Sequence, residues 1–350
     1  MTMKNTIKNI LIALGTVTAI SANAQDVHFS HMEFSPMTLN PGLAGANSPM
    51  QGIVNYRSQW NSVAVPYQTI AASFDARFNE NKRSKKGIIA GGINFFNDQA
   101  GELKVNTNNV NLNLAYHLIL DQTSTLGLGI YTGFGQRSIS PDGAKWGSQY
   151  DYSTLSYNAG LASGETFNSP SFNFLDAGAG IVYTYKDGQG YMTQNAGKLF
   201  NWGFAAYHVN RPNYSYLDNG TEKLYIRYST FVNANIGIQN TKGSILPGIY
   251  YNRQGKAQEI FFGMNYKYLL SEGSKVTGFT KPMAMYLGLF SRWGDAMIGK
   301  FMFEYDQFTA GFAYDINISS LTEVSRTRGG FELFLRFNML ESKGGFKSRI

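Results

Sequence analysis

Near the end of the chain, the stretch RGGFELFLRFN (328–338) alternates apolar and polar side chains with a period of two residues. The apolar set shares one face of an extended strand and consists of Phe331, Leu333, Leu335 and Phe337. Glu332 and Arg336 lie on the opposite face. Such a strand belongs either to a water-soluble sandwich with its apolar face inward, or to a membrane barrel with that face toward lipid.

The same alternation recurs along the whole chain. Residues 110–118 and 126–134 are clear examples, since a mostly apolar set of side chains alternates with a mostly polar or small set. Similar runs lie near 52–60, 69–78, 87–96, 173–185, 199–210, 224–238, 243–252, 258–268, 283–291, 296–304, 308–316 and 330–338. The sequence therefore predicts roughly 14 strands, with about 12–16 consistent with the uncertainty of their boundaries.

Composition and strand length favour the membrane barrel. Charged residues make up 15% of the chain, whereas soluble domains average ~25%. The runs of about 9–11 residues suit tilted bilayer crossings, and their polar faces carry mostly Asn, Gly, Ser and Tyr, as in a packed or wet lumen. No uninterrupted apolar run after residue 25 is long enough for a spanning helix. We predict an all-β, closed antiparallel transmembrane barrel; a large soluble β-sandwich array is the alternative.

Aromatic residues and connection lengths predict how the barrel lies in its membrane. Aromatic pairs near strand ends suit the two membrane interfaces, and they are Tyr56 with Trp60, Tyr183 with Tyr185, Tyr266 with Tyr268 and Tyr286 with Trp293. If the first strand starts in the periplasm, the connections placed outside are 61–68, 138–172, 211–223 and 317–329. Outer-membrane barrels carry their longer loops outside, so this orientation is consistent.

The N-terminus has the pattern of an export signal. Lys4 and Lys8 precede a short apolar run, 9–20, and Ala22–Asn23–Ala24 supplies small residues before a cleavage point. We expect a signal peptide over 1–24, an N-terminal periplasmic or plug segment over 25–50, a barrel over 51–338 and a C-terminal tail over 339–350. Loss of the two lysines would lower the formal charge of +7 to +5, a modest excess that does not indicate a nucleic-acid partner.

Segment 25–50 shows no strand period. Pro36, Pro41 and Pro49 cannot donate to a β-ladder. We expect this segment to fold inside the barrel as a plug. The alternative is a periplasmic segment that simply precedes the first strand, since such a segment would also lack a strand period. LNPGLAG (39–45) also looks like the N-terminal hatch of FadL-type fatty-acid transporters.

Three stretches resemble one family of outer-membrane proteins. They are QDVHFSHMEFSPMTLNPGLAGA (25–46), NYRSQW (55–60) and YDINISSLTEVSRTRGGFELFLRF (314–337). They resemble the PorP/SprF family of the type IX secretion system. The resemblance implies a non-enzymatic outer-membrane protein that helps to export or anchor a large surface protein, such as a gliding adhesin, together with translocon components. The cargo would carry its own C-terminal targeting domain.

The resemblance and the strand pattern single out two sets of residues. The family-motif or structural set is Asn40, Pro41, Gly45, Tyr56, Arg57, Trp60, Asp315, Ser319, Gly329 and Gly330. The candidates for contact with the cargo are Arg326, Arg328, Tyr150 and Tyr152. The first two could pair with a carboxylate, and the tyrosines lie in the longest predicted loop. For 315–330 we expect chiefly a structured loop, with Asp315 and Asn317 capping turns.

Residues for catalysis or metal binding are sparse. The chain has no cysteine, and His28 and His31 are not accompanied by a carboxylate–histidine cluster, so we predict no catalytic, cofactor or metal site. Two other functions remain as alternatives: a FadL-like channel for small apolar solutes, and an outer-membrane acyl hydrolase using His117 or His208.

Overall fold

The computed structural model describes residues 26–63, 65–78, 87–140, 144–165, 171–187, 197–216, 220–273 and 280–339. The expected signal peptide (1–24) and nearly all of the expected C-terminal tail (339–350) lie outside these residues. No helix in this part of the chain is long and apolar enough to cross a membrane. Short helical turns occur at Met32–Phe34, Pro36–Leu39, Pro41–Leu43, Gly147–Gln149 and Thr322–Ser325.

Fourteen antiparallel strands close into a barrel, as the alternation predicts. The first five are β1 (Met50–Gln59), β2 (Tyr67–Arg77), β3 (Gly87–Ala100), β4 (Val105–Ile119) and β5 (Ser124–Ser138). After a small hairpin of β6 (Tyr150–Asp151) and β7 (Ser156–Tyr157), the others are β8 (Ser171–Asp187), β9 (Lys198–Tyr207), β10 (Arg227–Gly237), β11 (Gly243–Gln254), β12 (Ala257–Ser271), β13 (Met283–Arg292), β14 (Ala296–Tyr305), β15 (Phe308–Asn317) and β16 (Arg328–Met339).

The first and last strands pair with each other and so close the sheet. β1 runs antiparallel to β16, with Met50 opposite Met339 and Gln59 opposite Gly330. Closure matters because an open edge would leave backbone N–H and C=O groups unpaired in hydrocarbon. The even strand number also places the start of β1 and the end of β16 at one end of the barrel, which we call the short-turn end. The longest connections, 139–170 and 208–226, lie at the opposite, long-loop end.

The two faces of each strand divide as predicted. On β16, Leu333 and Leu335 are 46% and 52% exposed, whereas Glu332, which precedes Leu333, is 1% exposed. On β4, Leu112 and Leu114 likewise point outward. The barrel therefore presents an apolar outer wall to lipid and a polar, packed lumen. The interpretation of Tyr286 as an interfacial aromatic is wrong: its side chain lies in the lumen, 6% exposed, and donates a hydrogen bond to Glu304.

One strand pair differs from its predicted length. The runs 199–210 and 224–238 predict a connection over 211–223, but β9 ends at Tyr207 and β10 begins at Arg227, so the connection is longer than predicted. His208 takes a left-handed backbone conformation with φ of 57°, and this conformation cannot continue a strand. The residues between the two strands then form part of the long-loop end, where Asn213 and Lys223 make an isolated bridge.

Candidate functional site

The N-terminal segment 26–49 crosses the lumen from one end of the barrel to the other. At the long-loop end, the backbone N–H of Asp26 donates to the Gln254 side chain over 2.9 Å. Near the short-turn end, the Ala44 carbonyl lies 2.7 Å from Nε2 of His117 on β4. Apolar side chains of the segment, Met32, Leu39 and Leu43, pack into a cluster with lumen-facing residues of the wall. The segment is thus a plug with its N-terminal end at the long-loop end.

An arginine of β1 holds the plug through two carboxylates. Arg57 Nη2 lies 2.8 Å from Asp315 Oδ2, and its Nη1 lies 3.1 Å from Glu332 Oε2. Arg57 also donates to the hydroxyl of Ser30 in the plug. Glu332 in turn accepts from the backbone N–H groups of Ser30 at 2.6 Å and His31 at 3.0 Å. Both oxygens of Glu332 are therefore used to fix the backbone of the plug.

A second arginine extends this network to β12 and β13. Arg292 Nε lies 2.9 Å from Glu259 Oε1, and its Nη1 lies 3.3 Å from Asp315 Oδ2. Asp315 is therefore shared by two guanidinium groups, and the Ser30 hydroxyl donates to its other oxygen over 2.7 Å. Buried charges persist only when they are paired and hydrogen-bonded. We call Arg57, Arg292, Glu259, Asp315 and Glu332 the arginine network.

A separate group of charges fixes the first residue of the plug. The two ring nitrogens of His208 face Asp26 at 2.5 Å and Asp176 at 2.8 Å, and Arg227 Nε lies 3.4 Å from Asp26. Burial would lower the pKa of His208, but the two carboxylates outweigh it and raise that pKa to about 9. Burial likewise acts to raise the pKa of Asp26, and His208 and Arg227 lower it below its usual range. We call these four residues the Asp26 cluster.

Two cavities flank the first residues of the plug. The larger, about 950 Å³, lies between the plug and the wall formed by β3, β4, β5, β8 and β9. The smaller, about 510 Å³, lies on the side of β11 and β12, where Asn252, Gln254 and Glu259 line it. Asp26 and Val27 border both cavities and so separate them. Burial lowers the pKa of His28, which lines the smaller cavity, to about 4.

The family-motif residues of the plug anchor it to the wall. Asn40 is fully buried; its Nδ2 donates to the carbonyls of Ile181 at 3.1 Å and Phe204 at 3.0 Å. Its Oδ1 accepts from the Gly42 N–H, at the start of the helical turn that Pro41 opens. The Gly45 N–H donates to Asp75 Oδ2 over 2.7 Å, and its carbonyl accepts from Arg77.

The other motif residues lie where β1 meets β16. Arg57 and Asp315, distant in sequence, are brought together in the arginine network, whereas Tyr56 is on the lipid side and packs against Phe331 with the ring centroids 5.8 Å apart. Trp60 directly follows β1, has a φ of 59° and donates its backbone N–H to the Gly329 carbonyl. A Cβ on Gly329 or Gly330 would lie within 3 Å of the backbone of a neighbouring strand. Both glycines therefore allow close strand contact at this seam.

The expectation that Asp315 caps a turn is wrong. Asp315 belongs to β15 and faces the lumen, where its carboxylate pairs with Arg57 and Arg292. Asn317 does organise the loop, since its Nδ2 donates to the Ser325 hydroxyl and to the Arg328 carbonyl. Ser319 lies in the same loop and donates its N–H to the Asp295 carbonyl.

The four candidates for contact with a partner are all exposed at the long-loop end. Tyr150 and Tyr152 lie at the β6–β7 hairpin, 40% and 82% exposed, with ring centroids 5.1 Å apart. Arg326 and Arg328 lie at the end of the 318–327 connection. The structure does not bring the tyrosines and arginines into one described cluster.

Sequence reasoning missed part of the arginine network. It placed Glu332 on the inner face but assigned no role to Arg292, Glu259 or Ser30. A signal was available, because charged side chains at inward positions of predicted strands need partners in a lumen. Which partners they take could not be read from local patterns, since Ser30 and Asp315 are 285 residues apart.

The histidines of the hydrolase alternative already have partners. Both ring nitrogens of His208 face carboxylates, so neither is available to take a proton from a serine. Nε2 of His117 contacts the Ala44 carbonyl, and the ring lies against Gly127.

A closed, plugged barrel with an apolar outer wall defines an integral outer-membrane protein. The profile of the family described as "Type IX secretion system membrane protein PorP/SprF" matches residues 21–337. The chain therefore belongs to the PorP/SprF family, and its place is the outer membrane as part of type IX secretion. No curated protein matches the sequence significantly.

Three solved structures illustrate the similarity of fold. The match to BamA from Haemophilus ducreyi lacking POTRA domains 1–3 covers 83% of this chain and 71% of the BamA chain, at 8% sequence identity and a TM-score of 0.41. The match to a Pseudomonas aeruginosa FadL homologue covers 83% of this chain and 93% of the homologue, at 8% sequence identity and a TM-score of 0.43. The match to the ΔS2S3 mutant of the TodX monoaromatic hydrocarbon channel covers 86% of this chain and 93% of the channel, at 9% sequence identity and a TM-score of 0.45. Matches at this level carry no functional information.

Proposed function

We propose that this barrel retains a secreted surface protein at the outer membrane, without enzymatic activity, by holding it through its long-loop end. Outer-membrane barrels carry their longer loops outside the cell, so the long-loop end is the extracellular one. The partner is a large protein with a type IX C-terminal targeting domain, and translocon components deliver it. Membership of the PorP/SprF family supports this role.

One observation carries the proposal: the described part of the longest loop, residues 144–165, is folded but displays apolar side chains to solvent. Gln149 Nε2 donates to the Leu161 carbonyl, and β6 pairs with β7, which fixes the loop. Yet Tyr152 and Leu155 are 82% and 73% exposed. These residues lie outside the strands, where lipid does not cover them. Exposed apolar groups on an ordered loop are typical of a protein-binding surface.

The plug argues against free passage of a solute. It makes hydrogen bonds to the wall on several sides of the lumen. The wall residues that it contacts include Asp75 on β2, Ile181 on β8, Phe204 on β9 and Lys300 on β14. A FadL-like channel, the alternative function, requires the plug to move or the wall to open. Uptake of a small apolar solute by vesicles containing the purified protein would support that alternative.

The experiment compares surface retention of the partner in cells with altered loops. The partner is first identified by purifying the membrane complex in detergent, followed by mass spectrometry. Deletion of 142–168 should leave a heat-modifiable barrel in the membrane and release the partner into the medium. The double variant Tyr152→Ala/Leu155→Ala should act in the same direction, whereas Ser153→Ala/Thr154→Ala, its matched control in the same hairpin, should not. Partner that stays on the cell after the deletion contradicts the loop surface.

A further inference from the structure

The larger cavity of the lumen extends from the plug toward the long-loop end of the barrel. Ala100, Val105, Tyr214 and Leu224 line its upper part, next to the extracellular connections of the barrel. Met37 and Thr38 of the plug line its lower part. The space inside it, counted together with the part open to solvent, is about 950 Å³. We call this cavity the amide well.

A ladder of side-chain amides lines one wall of the well. Asn109, Asn111 and Asn113 occupy alternate positions of β4, all facing the lumen and all less than a tenth exposed. Nδ2 of Asn113 donates to Asn94 on β3 over 2.8 Å. The Oδ1 atoms of Asn109 and Asn111, in contrast, have no hydrogen-bond partner among the described residues. Buried polar atoms usually have a hydrogen-bond partner, and both of these residues line the cavity.

The barrel is built so that the amides and rings fit into the well. A Cβ on Gly133 would lie 2.0 Å from Oδ1 of Asn111, and one on Gly135 would lie 2.2 Å from the ring of Phe174. Glycine at these two positions of β5 therefore leaves the space that the amide and the ring occupy. The adjoining part of the wall, on β5, β8 and β9, is aromatic. The ring centroids of Tyr131 and Tyr207 are 5.1 Å apart, and those of Phe174 and Tyr214 are 5.3 Å apart.

The charges around the well balance one another. Asp26, Asp176, His208 and Arg227 pair within the Asp26 cluster. Asp98 accepts from the Thr69 hydroxyl over 2.7 Å, and the Arg137 guanidinium lies 4.7 Å above the ring of Tyr214. The formally charged side chains of the lining are thus three acidic and three basic when His208 is protonated. A ligand for this site carries little net charge.

The spacing of the amides decides which uncharged ligand they match. Alternate residues of a strand are about 6.6–6.8 Å apart, and an extended peptide repeats its backbone groups at the same interval. A peptide lying along β4 therefore presents one N–H group to each successive amide oxygen. Sugar rings also use amides and aromatic rings, but a saccharide chain has no reason to share the strand repeat.

We propose that the amide well binds a short, extended and uncharged segment of the secreted partner, with Asn109 and Asn111 accepting hydrogen bonds from its backbone. This inference rests on the proposed function, because the segment belongs to the protein that the barrel retains. The loops then provide the outer contact and the well holds the inserted segment. The plug sets the depth to which the segment reaches.

The first test is photo-crosslinking in cells that secrete the partner. A benzoylphenylalanine residue replaces Asn109 inside the well or, as the control, Asn201, a buried lumen amide outside its lining. Position 109 should give an adduct whose mapped peptide is a single low-charge stretch of the partner, and position 201 should give none. An adduct that contains only carbohydrate, or no adduct from position 109, overturns the proposal.

The second test measures retention of the partner on the cell. The double variant Asn109→Leu/Asn111→Leu keeps side-chain size but removes both acceptors, and it should lower retention about tenfold or more, as the loss of two hydrogen bonds predicts. Asn201→Leu/Asn233→Leu makes the same change at a bonded pair outside the well and should leave retention unchanged. Both barrels should remain heat-modifiable.

The outcomes separate the two proposals. If the well variant retains the partner while the loop deletion releases it, the amide well is excluded and the retention function stands. If the intact barrel neither retains nor copurifies with any secreted protein, the proposed function itself fails.

Discussion

Arg57 on β1 and Asp315 on β15 meet inside the barrel, with Nη2 and Oδ2 2.8 Å apart and both side chains almost excluded from solvent. β16 lies between these two strands and adds Glu332 to the same guanidinium. The contact therefore spans the seam at which the first and last strands pair. Because Ser30 binds both carboxylates, the seam and the plug are stabilised by one set of charges.

Replacing Arg57 by Met should strongly destabilise the folded barrel. The change leaves Glu332 without its guanidinium and Asp315 with one of two, and breaking a buried pair in this way costs about 3–5 kcal/mol. The temperature at which the folded band disappears in unboiled gel samples should fall. Arg326→Met, which alters an exposed arginine, is the control. Equal melting of the two variants would mean that the network is not a main stabilising feature.

Two glycines with the same backbone angle allow a matched test of plug contact. Gly45 and Gly101 both have φ of +68°, but a Cβ on Gly45 would lie 2.4 Å from Cβ of Ala90, whereas one on Gly101 would meet nothing within 4 Å. Gly101→Ala should cost only the backbone strain of about 1–2 kcal/mol. Gly45→Ala should add a clash and displace the plug, seen as faster proteolysis near residue 45. Similar behaviour of the two variants would rule out tight packing there.

Asn40→Ala should loosen the plug from β8 and β9. The substitution leaves the carbonyls of Ile181 and Phe204 without this donor, at about 1–3 kcal/mol for each buried group that stays unpaired. Hydrogen exchange of residues 38–44 should become faster. Asn213→Ala removes an exposed loop amide that donates to Gly220 and serves as the control. Unchanged exchange in Asn40→Ala would show that apolar packing alone holds the plug.

The Asp26 cluster should make attachment of the plug's first residues dependent on pH. The pKa of His208 is raised from 6.5 to about 9, so its contribution is fully present below about pH 6.5 and is lost as the pH rises through 9. Asp26 has a lowered pKa, so its contribution is kept at neutral pH and lost only in acid.

A spin label can follow this change, because the chain has no native cysteine. A nitroxide on Val27→Cys should become more mobile as the pH rises from about 7 to 10. His208→Gln in the same labelled protein should remove that dependence. A label whose mobility does not change with pH in the presence of His208 would contradict the assignment.

The alternation of side chains determined the barrel before any tertiary contact was known. Each strand's face is a local property: Leu333 and Glu332 point to opposite sides whatever their neighbours are. The strand number, the lipid-facing set on β4 and β16 and the positions of the long loops all follow from it. The alternation gave a wrong strand end at His208, where a single backbone angle decides where β9 stops. The placement of Tyr286 at the membrane interface was wrong because an aromatic side chain suits both that interface and the packed lumen.

Only the tertiary structure decided what fills the lumen. Glu332 fixes the N–H groups of Ser30 and His31, about 300 residues away in sequence. Asn109 and Asn111 line a cavity, and their Oδ1 atoms have no hydrogen-bond partner within the described part of the chain. Inward polarity can be read from a period of two, but the partner of an inward group depends on barrel closure and on the path of the plug. Both depend on non-local pairing, which no local sequence pattern records.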